Sequence, residues 1–290
     1  MCGARHGRTV RYPTLQKFAQ QLLVSLVPVD CHPRNPMAHP KHLTILTGAS
    51  RGMGLAMAEQ LLQKDALLVG ISRTANSHLV DLAAHHGTLL TQWNADLSDP
   101  APVARRLQDW LQGLNADDML SATLINNAGV ISELVPLREA KPDDLARALR
   151  IGLEAPMLLT SAFLAATRHW RDVPRKVFNI SSGLGRRAMA SSSAYCAAKA
   201  GMDHFTRCLA LEEARQAGGA KVCSLAPGVI DTGMQLQLRS ADAAAFPDRD
   251  AFAGLQANGQ LTSPADAATR VLAFLRRPDF GSEAVADVRG

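Results

Sequence analysis

Tyrosine is scarce in this chain. There are two in 290 residues, Tyr12 and Tyr195, so beyond the first dozen residues a single phenol is available for chemistry. The cysteines are few and unpaired in pattern. Cys2, Cys31, Cys196, Cys208 and Cys223 are odd in number and never form CxxC. A disulfide framework and a thiolate zinc site are therefore not expected, and a reducing, cytoplasmic location fits. His32, His39 and His42 have no acidic or thiol partners at ligand spacing, so no metal is expected either. Long hydrophobic runs are missing. The longest, from Ala155 to Ala166, is interrupted by Thr160 and Ser161. It falls short of the ~18 residues that cross a bilayer, and no membrane partner is expected.

A basic surface is also lacking. The formal charge is +5, but residues 1–36 hold Arg5, Arg8, Arg11, Lys17 and Arg34 against Asp30 alone. The remainder is nearly neutral, which argues against nucleic acid as a partner. Residues 1–36 are expected to be a disordered extension, or an over-long reading frame whose natural start is Met37. A transit peptide would share their Arg-rich, acid-poor texture. Residues 37–290 are expected to form one domain. Apolar residues at 47% and charged residues at 20% match globular proteins and exclude disorder throughout. Length permits a large core, since domains of about 300 residues bury about 75% of their unfolded surface.

From residue 43 onward, short apolar runs alternate with amphipathic stretches. Strands are expected over 43–47, 66–71, 88–93, 122–125, 176–180, 221–225 and 284–288. Helices are expected over 53–64, 77–86, 100–114, 142–169, 193–216 and 264–275, with Asp99 and Ser263 as caps. This alternation predicts βαβ units: an α/β, Rossmann-type, doubly wound parallel sheet with helices on both faces. Ligands of such sheets bind beyond the carboxyl ends of the strands. The motifs below all fall at those ends.

Thr47-Gly48-Ala49-Ser50-Arg51-Gly52-Met53-Gly54 links the first strand to the first helix. Its glycines permit a tight turn and close approach of backbone to a pyrophosphate, and the helix N-terminus favours negative charge. The GK[ST] ending of a Walker loop is missing, and the spacing is GxxxGxG, not GxGxxG. The second strand ends Ser72-Arg73-Thr74 without an acid to bind a ribose 2′-hydroxyl. Ser72 and Arg73, with Arg51 in the turn, can instead hold a 2′-phosphate. NADP(H) is therefore the expected cofactor. Asp96-Leu97 follows the third strand, and Asn126-Asn127-Ala128-Gly129 ends the fourth. A capping Asp and a plain Asn-Gly turn would use the same residues.

Tyr195 and Lys199 are four apart at the start of a helix and so share a face. A free tyrosine titrates near pH 10, too high for efficient proton exchange at neutrality, and a neighbouring ammonium lowers it. Ser182 lies 13 residues upstream of Tyr195, just past a strand. Pro227-Gly228-Val229-Ile230-Asp231-Thr232 follows the sixth strand.

The set of GxxxGxG, Asn-Asn-Ala-Gly, Ser182, Tyr195-x-x-x-Lys199 and the later Pro-Gly resembles the short-chain dehydrogenase/reductase family over about residues 43–288. The segments 71–74, 193–196 and 227–235 look like its benzil reductase and sepiapterin reductase-like branch. The resemblance implies an NADPH-dependent carbonyl reductase acting on a small ketone or diketone. It implies that Ser182 (Ser181 if the register slips by one) hydrogen-bonds the substrate carbonyl and Tyr195 exchanges the proton. Lys199 would bind the nicotinamide ribose and tune Tyr195. Gly48, Ser50, Arg51, Gly52, Met53 and Gly54 would cradle the cofactor, Asp96 and Leu97 its adenine. Asn127, Ala128 and Gly129 would line it. Pro227, Gly228, Ile230 and Thr232 would hold the carboxamide. The family reduces 3-oxoacyl thioesters as well, and a cofactor sensor without turnover is a further alternative.

One position departs from the family pattern. Gly152 stands where many members carry a catalytic Asn. Its carbonyl keeps part of that residue's capacity, so turnover is expected, and an Asn at 152 is expected to raise it. The stretch from Thr232 to Leu261 is expected to be an apolar lid, with Arg239 leaving room for an anion and Asp287 a candidate anchor for a pterin-like ring. Family members pair through their long helices, so a homodimer or homotetramer is expected.

Overall fold

The computed structural model describes residues 39–289. The expectations for the amino-terminal extension, Cys2, Cys31 and His32 lie outside them. Seven strands form one wholly parallel sheet in the order β3-β2-β1-β4-β5-β6-β7. The strands are β1 Lys41–Thr47, β2 Ala66–Ser72, β3 Leu89–Asn94, β4 Met119–Asn126, β5 Arg175–Ile180, β6 Lys221–Ala226 and β7 Val285–Asp287. The order reverses direction between β1 and β4. That reversal opens a crevice at the carboxyl ends.

Nine helices of seven or more residues occur among the described residues. They are α1 Gly52–Leu61, α2 Ser77–His86, α3 Pro100–Gln112, α4 Pro142–Leu149, α5 Ala155–Ala166, α6 Ser193–Glu213, α7 Gly233–Arg239, α8 Arg249–Ala257 and α9 Pro264–Arg276. Successive strand residues point to opposite faces, and both faces are apolar. Leu43, Ile45, Val69, Leu124 and Val177 pack under Leu107, Leu159 and Phe163 on one side. Leu46, Leu68, Ile125 and Phe178 pack under Met57, Val271 and Leu272 on the other. Burial on both faces explains why the strands read as continuous apolar runs.

Caps separate expectation from outcome. Ser263 accepts from the Asp266 amide at 3.0 Å and starts α9 as expected. Asp99 occupies the N-cap position of α3 but makes no capping hydrogen bond. The helix expected over 142–169 runs as one over Pro142–Ala166 but widens in the middle. A five-residue π-turn, Arg150–Glu154, joins α4 to α5. Pro156 causes this locally: it has no N–H to give the carbonyl four residues back, at Gly152, and its ring crowds that carbonyl. By length and composition the run Pro142–Ala166 could cross a membrane, contrary to the expectation from its longest apolar stretch. Half of its apolar window is buried inside the protein, as in a core helix.

The segment expected as a lid loop is instead two short helices, α7 and α8. Its apolar residues have helical spacing and a place to pack. Leu238 and Phe246 are buried against Ile131, Leu134, Met189 and Tyr195. Phe246 and Phe252 stack with ring centres 5.9 Å apart.

The π-turn also changes what Gly152 means. A Cβ there would lie 2.9 Å from the Ala198 Cβ. Neither atom is the end of a flexible side chain, so backbone must move. The gain expected from an Asn at 152 therefore does not follow. Gly152→Asn is expected to lower stability by about 1–3 kcal/mol, the usual cost of overpacking. Ala198→Gly in the same chain is expected to recover part of that loss. Urea unfolding of the single and double variants measures both.

Candidate active site

The site is built at the carboxyl ends of β1, β4, β5 and β6. The glycine turn after β1 forms its floor. Gly48 has φ +71° and Gly52 φ +56°, a region that L side chains rarely adopt. A Cβ on Gly54 would overlap the Gly48 carbonyl oxygen. Only glycine lets the turn and the first turn of α1 come this close.

Thr47 and Asn127 tie that turn to β4. The Thr47 Oγ1 accepts from the amides of Asn127 at 2.9 Å and Ala128 at 3.0 Å. The Asn127 side chain donates to the Thr47 carbonyl at 3.0 Å. Asn76 braces the other side. It caps α2 by accepting from the His78 amide, and its Nδ2 donates to the Ser50 carbonyl at 3.1 Å. Thr47 opens the turn motif in the sequence but has no role assigned there, and Asn76 is not singled out. For Asn76 the signal was available, as an Asn immediately before an amphipathic run.

Gly48, Ser50, Arg51, Gly52, Met53 and Gly54 thus surround one turn. The Thr232 methyl lies 3.4 Å from where a Cβ of Gly52 would be. The segment carrying Pro227, Gly228 and Ile230 is pinned above it. Thr262 donates its amide to the Val229 carbonyl, and its own carbonyl accepts from Asp231. At the end of β2 the Ser72 Oγ is buried without a hydrogen-bond partner. Arg51 and Arg73 are exposed and make no ion pair among the described residues. Asp96 closes a turn onto the Ser98 amide at 2.9 Å. That bond, and to a lesser degree Arg73, holds its carboxyl below the usual range. The Leu97 side chain is committed to the core. A cradle tight against an added Cβ, an orphaned hydroxyl and two exposed guanidinium groups suit the phosphates of a dinucleotide.

Tyr195, Lys199 and Ser182 converge beside this cradle. Tyr195 is buried among Ile131, Leu134, Met189, Leu238 and Phe246. Burial pushes its phenol up to about 12, and the Ser182 hydroxyl pulls the other way. The depression expected from Lys199 is absent in the protein by itself, because desolvation dominates. At neutral pH the phenol therefore holds its proton. Ser182 caps a one-turn helix, Gly183–Gly185, by accepting from the Leu184 amide at 3.2 Å. It is Ser182, not Ser181, whose hydroxyl bears on Tyr195; the Ser181 Oγ is buried and unpartnered.

The Lys199 ammonium lies 5.7 Å from the Tyr195 ring centre and donates to the Ile180 carbonyl at 2.7 Å. Gly129 borders it: a Cβ there would sit 3.7 Å from the Nζ. Burial lowers its pKa to about 8, with Asp203 opposing. Below the site Asn126 donates to Asn179 at 2.8 Å and to Thr160 at 3.2 Å, and Asn179 donates to Thr206 at 2.9 Å. This network joins β4, β5, α5 and α6. Asp287 is engaged by Arg289 and Arg186, and Arg239 pairs with Asp231 at 3.2 Å. Among the described residues no cluster of three potential metal ligands occurs.

A doubly wound sheet, a glycine cradle and a buried Tyr195/Lys199 pair beside Ser182 define an α/β oxidoreductase of the dinucleotide-binding kind. The family model for short chain dehydrogenases matches residues 42–243. The chain is 36% identical over 236 residues to a benzil reductase ((S)-benzoin forming) of Bacillus cereus, spanning 81% of this chain and 94% of that protein. It is 30% identical over 253 residues to a sepiapterin reductase of Meriones unguiculatus, spanning 84% and 94%. A solved structure from Agrobacterium tumefaciens, described as a 2-deoxy-d-gluconate 3-dehydrogenase with bound NADP, superposes with a TM-score of 0.70 at 27% identity. That match covers 88% of this chain and 97% of the other. The chain belongs to the short-chain dehydrogenase/reductase family. It is an oxidoreductase that uses NAD(P)(H) on a small-molecule substrate.

The ammonium charge of Lys199 is lost as pH rises through about 8. A charged Lys199 favours proton release from Tyr195, so kcat for carbonyl reduction is expected to fall above that pH. A steady-state profile from pH 6 to 10 shows the limb; a flat profile would remove Lys199 from this role.

Proposed function

We propose that the protein is an NADP(H)-dependent carbonyl reductase whose substrates are small ketones, vicinal diketones foremost. The observation that carries this is the protonated, buried phenol of Tyr195, set between the Ser182 hydroxyl and the Lys199 ammonium. The phenol carries its proton at neutral pH; burial alone makes it a weak acid, and the charged Lys199 beside it favours release of that proton to a carbonyl oxygen. In this reading Ser182 donates a hydrogen bond to the substrate oxygen, and Tyr195 then gives that oxygen its proton. Lys199 stabilises the phenolate left behind. NADPH, when bound, supplies the hydride that the carbonyl carbon takes up, and the product is an alcohol. Gly48, Gly52 and Gly54 admit the pyrophosphate. Arg51, Ser72 and Arg73 hold the 2′-phosphate.

The apolar wall of Ile131, Leu134, Met189, Leu238 and Phe246 excludes water and favours an apolar or aromatic substrate. The activity named for the Bacillus relative, reduction of benzil, fits that wall. Asp287 is already held by Arg289 and Arg186, which argues against a role as a pterin anchor. Residues 37–290 act as one catalytic domain in this proposal, in the cytoplasm. Leu149 on α4, the half-buried Leu153 of the π-turn and Met157 on α5 line an apolar strip suited to a homodimer or homotetramer.

NADPH oxidation with benzil is the direct test. Tyr195→Phe is expected to lose about 10²–10⁴-fold in kcat, the range of general acid catalysis. NADPH binding, followed by fluorescence, is expected to remain. Arg73→Ala is expected to raise KM for NADPH by about 10- to 100-fold, the loss of one charge-assisted contact of about 1.5–3 kcal/mol, and to leave KM for NADH unchanged. NADPH binding without reduction of any carbonyl in a broad panel would favour a sensor instead.

A further inference from the structure

One buried charge near the site has no part in the chemistry described above. Asp203 follows Lys199 by one helical turn on α6 and is 2% exposed. An uncompensated carboxylate there would be costly, and both of its oxygens are engaged. The Ser224 hydroxyl on β6 donates to Oδ1 at 2.7 Å. Arg186 Nε donates to Oδ2 at 3.2 Å. Arg186 closes the one-turn helix that Ser182 opens. Its Nη2 also donates to the Ala286 carbonyl on β7 at 2.9 Å, and its Nη1 lies 3.9 Å from Asp287.

The loop between Ser182 and Arg186 lies directly on α6. A Cβ on Gly185 would come within 2.9 Å of the Lys199 carbonyl and 3.0 Å of Asp203 Oδ2. The loop is therefore fixed at two points. Its start continues from β5, and its end is anchored by an ion pair to the helix that carries Tyr195 and Lys199. Ser182 sits between these anchors.

We propose that Asp203 and Arg186 form a positioning pair that clamps the Ser182 loop onto the Tyr195/Lys199 helix and so sets the spacing of the three groups. The pair touches no reacting atom. It acts through the register of the loop on the helix, and through the carboxylate charge, which opposes the loss of the Lys199 proton. The inference rests on the assignment of the reaction to Ser182, Tyr195 and Lys199. The other charged or titratable groups around Lys199, Asp203 and Arg186 are few. Tyr195 shares its helix, Arg186 comes from the loop, Cys223 from β6 and Asp287 from β7. Burial pushes the Cys223 thiol up to about 12, so it carries no charge. The π-turn presents Gly152 to α6 and adds none.

The test compares kcat, KM for benzil, NADPH affinity and the pH profile in the full chain. The variants are Asp203→Asn, Arg186→Gln, the double variant and Arg186→Lys. Misplacement of a reacting group by about 1 Å costs up to about 100-fold. Each single variant is expected to lose about tenfold or more in kcat, with NADPH affinity within about twofold of wild type. The double variant is expected to be no worse than the weaker single, because both break one clamp. Arg186→Lys is expected to restore most of the rate. Asp203→Asn is expected to move the alkaline limb to lower pH, and Arg186→Gln is not. Wild-type kcat and pH limb in the single variants, with only Tm reduced, would overturn the proposal. Losses that add fully in the double variant would do the same. Arg186 is about one third exposed, so its variants carry the test if Asp203→Asn fails to fold. A fully active Tyr195→Phe overturns the site assignment and this inference together. An inactive Tyr195→Phe beside wild-type-like pair variants overturns this inference alone.

Discussion

The Lys199 ammonium is almost wholly out of water and donates to the Ile180 carbonyl across 2.7 Å. Taking such a charge from solvent costs several kcal/mol even after relaxation. The surroundings are arranged to offset that cost without losing the charge. Ile180 is the last residue of β5, so the carbonyl that accepts from Lys199 is placed by the sheet itself. Asp203 adds an opposite charge one turn away. Gly129, three residues past β4, leaves room for the Nζ. Were any of these elements to move, the ammonium would either find water or lose its proton. The packing of α6 on the strand ends is thus tied to the charge state of one side chain.

That constraint extends to the phenol. Tyr195 shares a helix face with Lys199, so burying one buries the other. The apolar wall that closes over Tyr195 raises its pKa and keeps it protonated. A water-exposed phenol at the same position would titrate near 10 and would sit in competition with solvent. Desolvation therefore performs two opposite functions four residues apart. It holds a proton on Tyr195, at about 12, and loosens one on Lys199, at about 8, which drives their proton affinities apart. The helices α7 and α8 supply part of that wall through Leu238 and Phe246.

Polar groups inside the fold keep the strand ends in register. Thr47 accepts two amides from the end of β4, and Asn126 and Asn179 connect β4, β5, α5 and α6. Buried hydrogen bonds of this kind are worth about 1 kcal/mol each when made and cost more when broken. Their value here is geometric. They fix how far the glycine turn lies from the helix that bears Tyr195.

Much of this was legible from residue patterns. Alternating apolar runs located all seven strands, because strands buried on both faces have no polar side to show. The glycine turn and the Tyr195/Lys199 spacing were legible for the same kind of reason, since each obeys a short-range rule. The π-turn at Gly152 was missed because Pro156 acts on a carbonyl four residues back, inside an otherwise helical pattern. The helices α7 and α8 were read as loop because their apolar residues acquire a partner only when Tyr195 and Met189 are brought beneath them. Asp203 carries no signal in the sequence that sets it apart from other acids on helices. Its partners, Ser224 and Arg186, are 21 and 17 residues away, and no local periodicity connects them.

The sequence by itself determined the sheet, the glycine turn after β1 and the one phenol among the described residues. These depend on backbone sterics and on spacing along the chain, which neighbours in sequence control. Tertiary structure alone decided the proton affinities and the fate of Gly152. Both depend on what is packed around a group and on how much water is excluded, and those neighbours come from strands and loops far apart in the chain.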